Sequence, residues 1–192
     1  MRPALFTAIP LAAVVLVSLP ALAQERYNLD PSHTIVSFEI RHHGVSQQRG
    51  LFTRSQGSAV LDPQGGGGRI EVTIDANAVV TGVDALDRML RGPAFFNTAL
   101  HPRIRFVSDS IRYADGRPVE VTGQLTLLGI TRPVTLEVRD FTCTQHFLRR
   151  VPLCGADVHT TIRRSDFGMT FGLPNLVGDE VKLAIQVEGL RE

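Results

Sequence analysis

The chain has 192 residues, with 20 Lys and Arg against 19 Asp and Glu, six His, two Cys and no Trp. A balance this close to neutral, with no basic stripe, excludes the cationic surface that drives phosphate-backbone binding, so nucleic acid is not an expected partner. Beyond the N-terminal segment no apolar run approaches membrane-spanning length, so stable membrane insertion of the mature chain is not expected either.

The N-terminus reads as an export signal. Arg2 precedes an apolar run from Ala4 to Leu19, and Ala21-Leu22-Ala23 forms a small-x-small cleavage site. A membrane anchor is the competing reading, but the run is short for a ~30 Å hydrocarbon core and is interrupted by Pro10 and Pro20. Cleavage after Ala23 removes Arg2 as the only charge, leaves residues 24–192 formally neutral, and suits one domain with a sizeable core. No cysteine follows that site to carry a lipid anchor, and no Asn-x-Ser/Thr triplet occurs. The expected location is therefore the bacterial periplasm or the medium.

Period-two alternation dominates the rest. Thr34–Arg41 sets Val36, Phe38 and Ile40 on one face, a weaker strand covers Gly57–Leu61, and Arg69–Asp75 sets Ile70, Val72 and Ile74 inward. Asp84–Arg91 breaks the pattern, with Leu86, Met89 and Leu90 at helical spacing, Asp84 as the expected cap, and Gly92-Pro93 as the stop. Strands resume at Arg103–Ser108 (Ile104, Phe106 inward), Val119–Leu127 (Val119, Val121, Leu125, Leu127) and Pro133–Arg139 (Val134, Leu136, Val138). Ala156–Arg163 and Glu180–Glu188 complete about eight half-buried antiparallel strands, with one short helix between the third and fourth. The separators are Gly-, Asp- and Pro-rich turns; the run Gly65–Gly68 has no following Lys-Ser/Thr and reads as a hairpin tip, not a phosphate loop. About eight strands of even spacing most simply close into an up-and-down barrel, with a β-sandwich as runner-up.

Cys143 and Cys154 are the only cysteines, and an even count in an exported chain points to one structural disulfide across a hairpin whose tip holds Gln145–Pro152. Two free thiols or a metal pair are the alternatives, but the spacing is too wide for Cys-x-x-Cys and nothing nearby completes a zinc site. The histidines are scattered. His42 and His43 are adjacent and expected on opposite faces of a strand, and His33, His101, His146 and His159 lie in separate segments, so no metal site is expected. There is no Gly-x-Ser-x-Gly elbow, and Asp166-Phe167-Gly168 matches the kinase triplet without any other kinase motif. No catalytic residue is assigned.

Several stretches together carry a resemblance. They are Asp30-Pro31-Ser32-His33, Gly50 to Phe52, Phe95-Phe96-Asn97 with His101-Pro102 and Phe106, and Gly123-x-Leu125-Thr126-x-Leu128-Gly129-x-Thr131-x-Pro133-Val134. Arg164-Ser165-Asp166-Phe167-Gly168-Met169 and Gly178-Asp179-Glu180-Val181 follow in order and at compatible spacing. The chain resembles the YceI-like family of exported proteins, departing from it at Tyr27, commonly Trp there, and in the insert from Cys143 to Cys154. The resemblance implies a lipocalin-like barrel enclosing a polyisoprenoid, with no cofactor and no established catalysis.

The lining then expected comprises Val36, Phe38, Ile40 and Phe52; Leu86, Met89, Leu90, Phe95 and Phe96 around the helix; and Ile104, Phe106, Leu125, Leu127, Phe167 and Met169. Adjacent aromatics such as Phe95 and Phe96 read as core, or as a gate at the mouth. For Arg164 and Asp166 a local salt bridge is the plain reading, and the sharper one joins them with His33 at a polar end that meets a head group. Alternation alone does not separate a packed core from an open tunnel. The leading expectation is periplasmic binding or transport of a long isoprenoid, a polyprenyl or quinone type. The alternatives are an enzyme acting on its lipid through His33 or His101, and a packed, ligand-free stress-related interaction module; a homodimer is left open.

Overall fold

The structure, a computed structural model, describes residues 24–192; the expected leader and its cleavage after Ala23 lie outside the described residues. Where apolar and polar residues alternate the backbone is extended, because a pleated strand then buries one face and wets the other. The strands are β1 (Glu25–Leu29), β2 (Ile35–His42), β3 (Ser46–Phe52), β4 (Ser55–Asp62), β5 (Gly67–Asp75) and β6 (Val79–Val80). Beyond the helix α1 (Asp84–Arg91) come β7 (Arg103–Ala114), β8 (Arg117–Leu127), β9 (Ile130–Gln145), β10 (Pro152–Arg163) and β11 (Val177–Arg191).

Strands β4, β5, β7, β8, β9, β10 and β11 are neighbours in that order, and β1 completes the ring by pairing with β4 on one side and β11 on the other. The result is a closed eight-stranded antiparallel barrel of the expected kind, whose wall has no free edge. Strands β2, β3 and β6 form a leaf beside it. The long β11 holds β1 through Gly189–Arg191 and β2 through Val177–Gln186, so barrel and leaf share one strand. Buried Ser55 donates to the Thr34 carbonyl at 2.8 Å, tying the start of β4 to the turn that precedes β2.

Four details correct the sequence reading. The ring is closed by β1, not by the strand at 34–41, which belongs to the leaf as β2; in β1 only Tyr27 is buried, too little for a period-two signal. Strand β3 carries no alternation that announces it, because Ser46 to Arg49 are polar and its apolar residues come only at Leu51 and Phe52. In β8 a bulge at Val119 sets Arg112 opposite Glu120 but Tyr113 opposite Pro118, so Pro118, not Val119, points inward. Asp84 does not cap α1: the flanking position is Val83, and the buried Asp87 instead accepts from the Thr81 N–H at 2.7 Å and hydroxyl at 2.6 Å.

The cysteines stand directly opposite each other in β9 and β10 and are joined, the hairpin tip lying between Gln145 and Pro152 as expected. The tip is held by its own bonds, with His146 Nδ1 accepting from the N–H groups of Leu148 at 3.2 Å and Arg149 at 3.1 Å.

Candidate functional site

The barrel is hollow. A cavity of about 640 Å³ lies inside it, well within the range of small-molecule sites. Its presence explains an oddity of burial: Val134, Leu136 and Val138 of β9, and Val181, Leu183 and Ile185 of β11, point inward yet stay only half-buried, because they face the void. A packed module requires a solid interior, which this cavity contradicts.

Expected lining residues from four separate strands meet here. Val36, Phe38 and Ile40 of β2, Phe52 of β3, Ile104 and Phe106 of β7, and Leu125 and Leu127 of β8 all line the void. Glycine makes room for the aromatics. Gly50 pairs with Phe38, and a Cβ there would run into the Phe38 ring; a Cβ at Gly123 would likewise strike Phe106. Leu86, Met89 and Leu90 reach in from α1, and Met169 from the segment between β10 and β11.

Phe95 and Phe96 both line the cavity but do different things. Phe96 sits edge-on to Phe52 and Phe38, with centroids 5.2 and 6.4 Å away, inside the apolar wall. Phe95 is buried against Phe171 at 5.5 Å, where the segment after α1 meets the segment before β11. The two ends differ. Near the β9–β10 hairpin the cavity is floored by Tyr27, Leu61, Val121 and Cys154, all buried. At the other end its wall includes half-buried His42 and Gln48 and the exposed Met89 and Phe171, and this is the mouth.

The floor is apolar despite Tyr27. Its hydroxyl reaches Glu25 Oε2 at 2.7 Å, and burial first, then that bond, pushes its pKa up to about 12, so the side chain is neutral at any physiological pH.

Phe167 does not line the cavity. A 3-10 turn over Arg164–Phe167 takes it out of strand alternation, and it is packed in the apolar core instead. The expected Arg164–Asp166 bridge is not formed either. Arg164, 2 % exposed, donates from Nε, Nη1 and Nη2 to the carbonyls of Gly178, Met169 and Val177 at 2.7, 2.9 and 2.9 Å. The acid of this turn is Asp179, which accepts from the Ser165 N–H and hydroxyl; burial opposes its charge, but those bonds hold its pKa below the ordinary value. Asp166 is exposed and contributes its carbonyl to Arg132 Nε.

His33 belongs to neither end of the cavity. Its Nδ1 lies 3.0 Å from Asp30 Oδ2 and 4.0 Å from Glu188 Oε2, while Arg164 binds Gly178. Gly178 and Glu188 are ten residues apart along β11, on the order of 30 Å at ~3.3 Å per residue, so His33 and Arg164 cannot share a head group. Burial of a histidine against a carboxylate inside the cavity, the arrangement an enzyme reading needs, does not occur among the described residues. His42 is the one histidine in the wall, and the carboxylate contacts of His33 lie outside it. His42 and His43 do not point apart: His43 leaves the strand with φ 49°, and the two rings stack edge-on at 4.5 Å. No group of three metal-binding side chains occurs among the described residues.

The YceI-like domain pattern matches residues 27–189, the stretch that builds this apolar barrel. The chain belongs to the YceI-like family. A UPF0312 protein of Pectobacterium carotovorum is 32% identical over 174 residues, covering 90% of this chain and 89% of its own, and protein YceI of Salmonella arizonae is 32% identical over 185 residues, 95% of each chain. Among solved structures, Burkholderia cenocepacia BcnA superposes with a TM-score of 0.71 at 25% identity, covering 83% of this chain and 98% of its own. A polyisoprenoid-binding domain from Saccharophagus degradans has the same YceI-like fold, with a TM-score of 0.64 at 17% identity over 86% of this chain and 98% of its own.

The expected lining lacked the floor residues, although alternation sets Val121 inward, and the mouth residues His42, Gln48 and Phe171. The signal for Tyr27 was its place in the resemblance; His42 and Gln48 are polar wall positions that no apolar pattern selects.

Proposed function

We propose that this protein binds a long isoprenoid lipid, a polyprenyl or quinone type, inside its barrel, and that it does so in the periplasm. The observation that carries the reading is the large apolar void. Engineered cavities cost about 24 cal/mol per Å³, so 640 Å³ left empty stands for about 15 kcal/mol, as much as the whole stability of a stable domain. A wall built around that void is built around an occupant.

The wall also sets the class of occupant. Its polar side chains, Tyr27, Thr34, His42, Gln48, Thr160 and Arg164, are few, and the Tyr27, Thr34, Thr160 and Arg164 side chains already donate to protein oxygens. A linear hydrocarbon needs no hydrogen bonds. At roughly 25 cal/mol per Å², burying ~400 Å² of prenyl chain yields on the order of 10 kcal/mol before the chain's lost freedom is subtracted. The floor is closed and His42 and Gln48 stand at the mouth, so the tail enters first and a polar head stays at the opening. Membership of the YceI-like family and the fold shared with a polyisoprenoid-binding domain support the same ligand class. Binding or carriage, not catalysis, is the role this wall serves. The export signal at residues 1–23 supports the periplasmic part.

Native mass spectrometry of protein purified from a periplasmic extract without detergent, followed by organic extraction, tests the reading. A bound mass that extracts as a prenyl lipid is expected. Repeated preparations that carry no lipid and do not take up added decaprenol overturn it.

A further inference from the structure

Seven large apolar side chains stand exposed among the described residues, and they are not scattered. Phe147 and Leu148 form the tip of the β9–β10 hairpin at the floor end. Val45, Val83, Met89, Leu100 and Phe171 belong to the segments that frame the mouth. Those segments are tied to one another. The His43 N–H donates to the Leu176 carbonyl at 2.8 Å, joining the β2–β3 tip that carries Val45 to the segment that carries Phe171. Phe171 meets Phe95, and the Phe96 N–H donates to the Leu90 carbonyl at 2.9 Å, joining the segment that carries Leu100 to the end of α1.

The rim is strongly exposed, with Val45 at 81 % and Leu100 at 73 %. Clustered apolar exposure of this kind marks an interaction surface on an otherwise polar exterior. Two rim residues, Met89 and Phe171, are also cavity wall, so the apolar surface runs from the outside into the barrel without a polar belt across it on that side. Arg41, whose Nη2 donates to the Gly44 carbonyl at 2.7 Å beside Val45, and the exposed Arg88 of α1 bring cations to the same edge, against the carboxylate of Asp84.

We propose that this rim docks on the surface of a phospholipid bilayer, its apolar side chains entering the boundary between head groups and acyl chains, so that the mouth opens directly onto the lipid phase. The inference rests on the cavity being a prenyl-lipid site, because a ligand of that class resides in a bilayer and must cross from one apolar phase to the other. A second copy of the chain over the rim would seal the opening the ligand uses. Side chains such as Val, Leu, Met and Phe at an interface, with Arg at its edge for phosphate oxygens, suit shallow and reversible association.

The test is flotation with vesicles of phosphatidylethanolamine and phosphatidylglycerol in equal parts, free of isoprenoid. It compares the unaltered chain with Val45→Ser/Val83→Ser/Leu100→Ser, whose positions lie outside the cavity wall, and with Phe147→Ser/Leu148→Ser at the opposite end. The unaltered chain and the hairpin variant float alike, and the rim variant partitions about tenfold less, as loss of three inserted apolar side chains implies. The rim variant still binds decaprenol offered in detergent. Flotation that the rim variant retains, that the hairpin variant loses, or that no form shows overturns the proposal, as does a rim-dependent dimer in gel filtration without vesicles. Normal flotation with no decaprenol binding by any form overturns the cavity reading instead.

Discussion

Phe95, in the segment after α1, and Phe171, in the segment between β10 and β11, meet edge to face across the mouth with ring centroids 5.5 Å apart. Phe95 is buried and Phe171 is half-exposed, so the contact couples a fixed ring to a freer one. An aromatic pair of this geometry contributes about 0.5–1.5 kcal/mol beyond its buried area. Phe171→Ala is therefore expected to speed ligand release about fivefold, read by stopped-flow displacement, while the thermal midpoint moves by no more than a degree or two. Unchanged release separates this contact from the route the ligand takes.

Arg164 is the structural keystone of the mouth end. Removing its side chain leaves the carbonyls of Met169, Val177 and Gly178 without their donors in a buried place, a cost of about 3–5 kcal/mol for Arg164→Ala. Arg164→Lys is expected to recover little of that, because one ammonium cannot reproduce a planar fork aimed at three acceptors. Urea denaturation measures both variants, and a loss below about 1 kcal/mol in the alanine variant contradicts this role.

The disulfide closes a hairpin that the strands already pair, so its contribution lies at the low end of the loop-closure range, about 1–3 kcal/mol for cysteines eleven residues apart. Cys143→Ser is expected to lower the thermal midpoint by several degrees and to leave decaprenol affinity within about twofold, since the apolar wall away from the floor is untouched. Thiol titration of the unreduced, denatured chain should find no free thiol; two free thiols contradict the bridge.

Asp30 and His33 give a pH signature outside the cavity. Bonds from the Ser32 hydroxyl and from His33 hold the Asp30 carboxyl well below the usual range, and the bond to Asp30, with the charge of Glu188, raises His33 above 6.5. A raised histidine favours the folded state most fully below pH 6.5 and loses that contribution as pH rises through its folded value; the lowered Asp30 loses its own only as acid protonates it. NMR titration should place the His33 ring above 6.5 and show it moving down in Asp30→Asn, with ligand affinity unchanged. A titration at the ordinary value in the unaltered chain contradicts the pairing.

The barrel was legible because its wall strands are long and clearly alternating: the inward residues of β9 as far as Val138, and those of β11, can be read by parity alone. The identity of the strand that closes it was not, since β1 contributes one buried side chain and pairs with residues far away in sequence. Parity also fails at Val119, where a bulge that no local residue announces exchanges the two faces. In the site, the apolar wall followed from the same alternation, whereas the turn at Arg164 did not. Arg164 and Asp166 are neighbours that suggest a salt bridge, but the 3-10 turn aims Arg164 at backbone carbonyls and gives the acid's part to Asp179, thirteen residues past Asp166. The void itself has no sequence signature, because the same side chains suit a filled and a hollow barrel.

The most direct test of a ligand held inside the barrel is a substitution that fills the void. Leu183 points inward from the middle of β11, half-buried and facing the cavity, so Leu183→Trp can extend into that space. Equilibrium binding of decaprenol to this variant, with circular dichroism and thermal melting to establish its fold, is the measurement. A folded barrel with affinity reduced about tenfold or more is the predicted result, because the indole occupies volume the chain needs. Undiminished binding in a folded Leu183→Trp barrel would place the ligand outside the cavity and contradict the account.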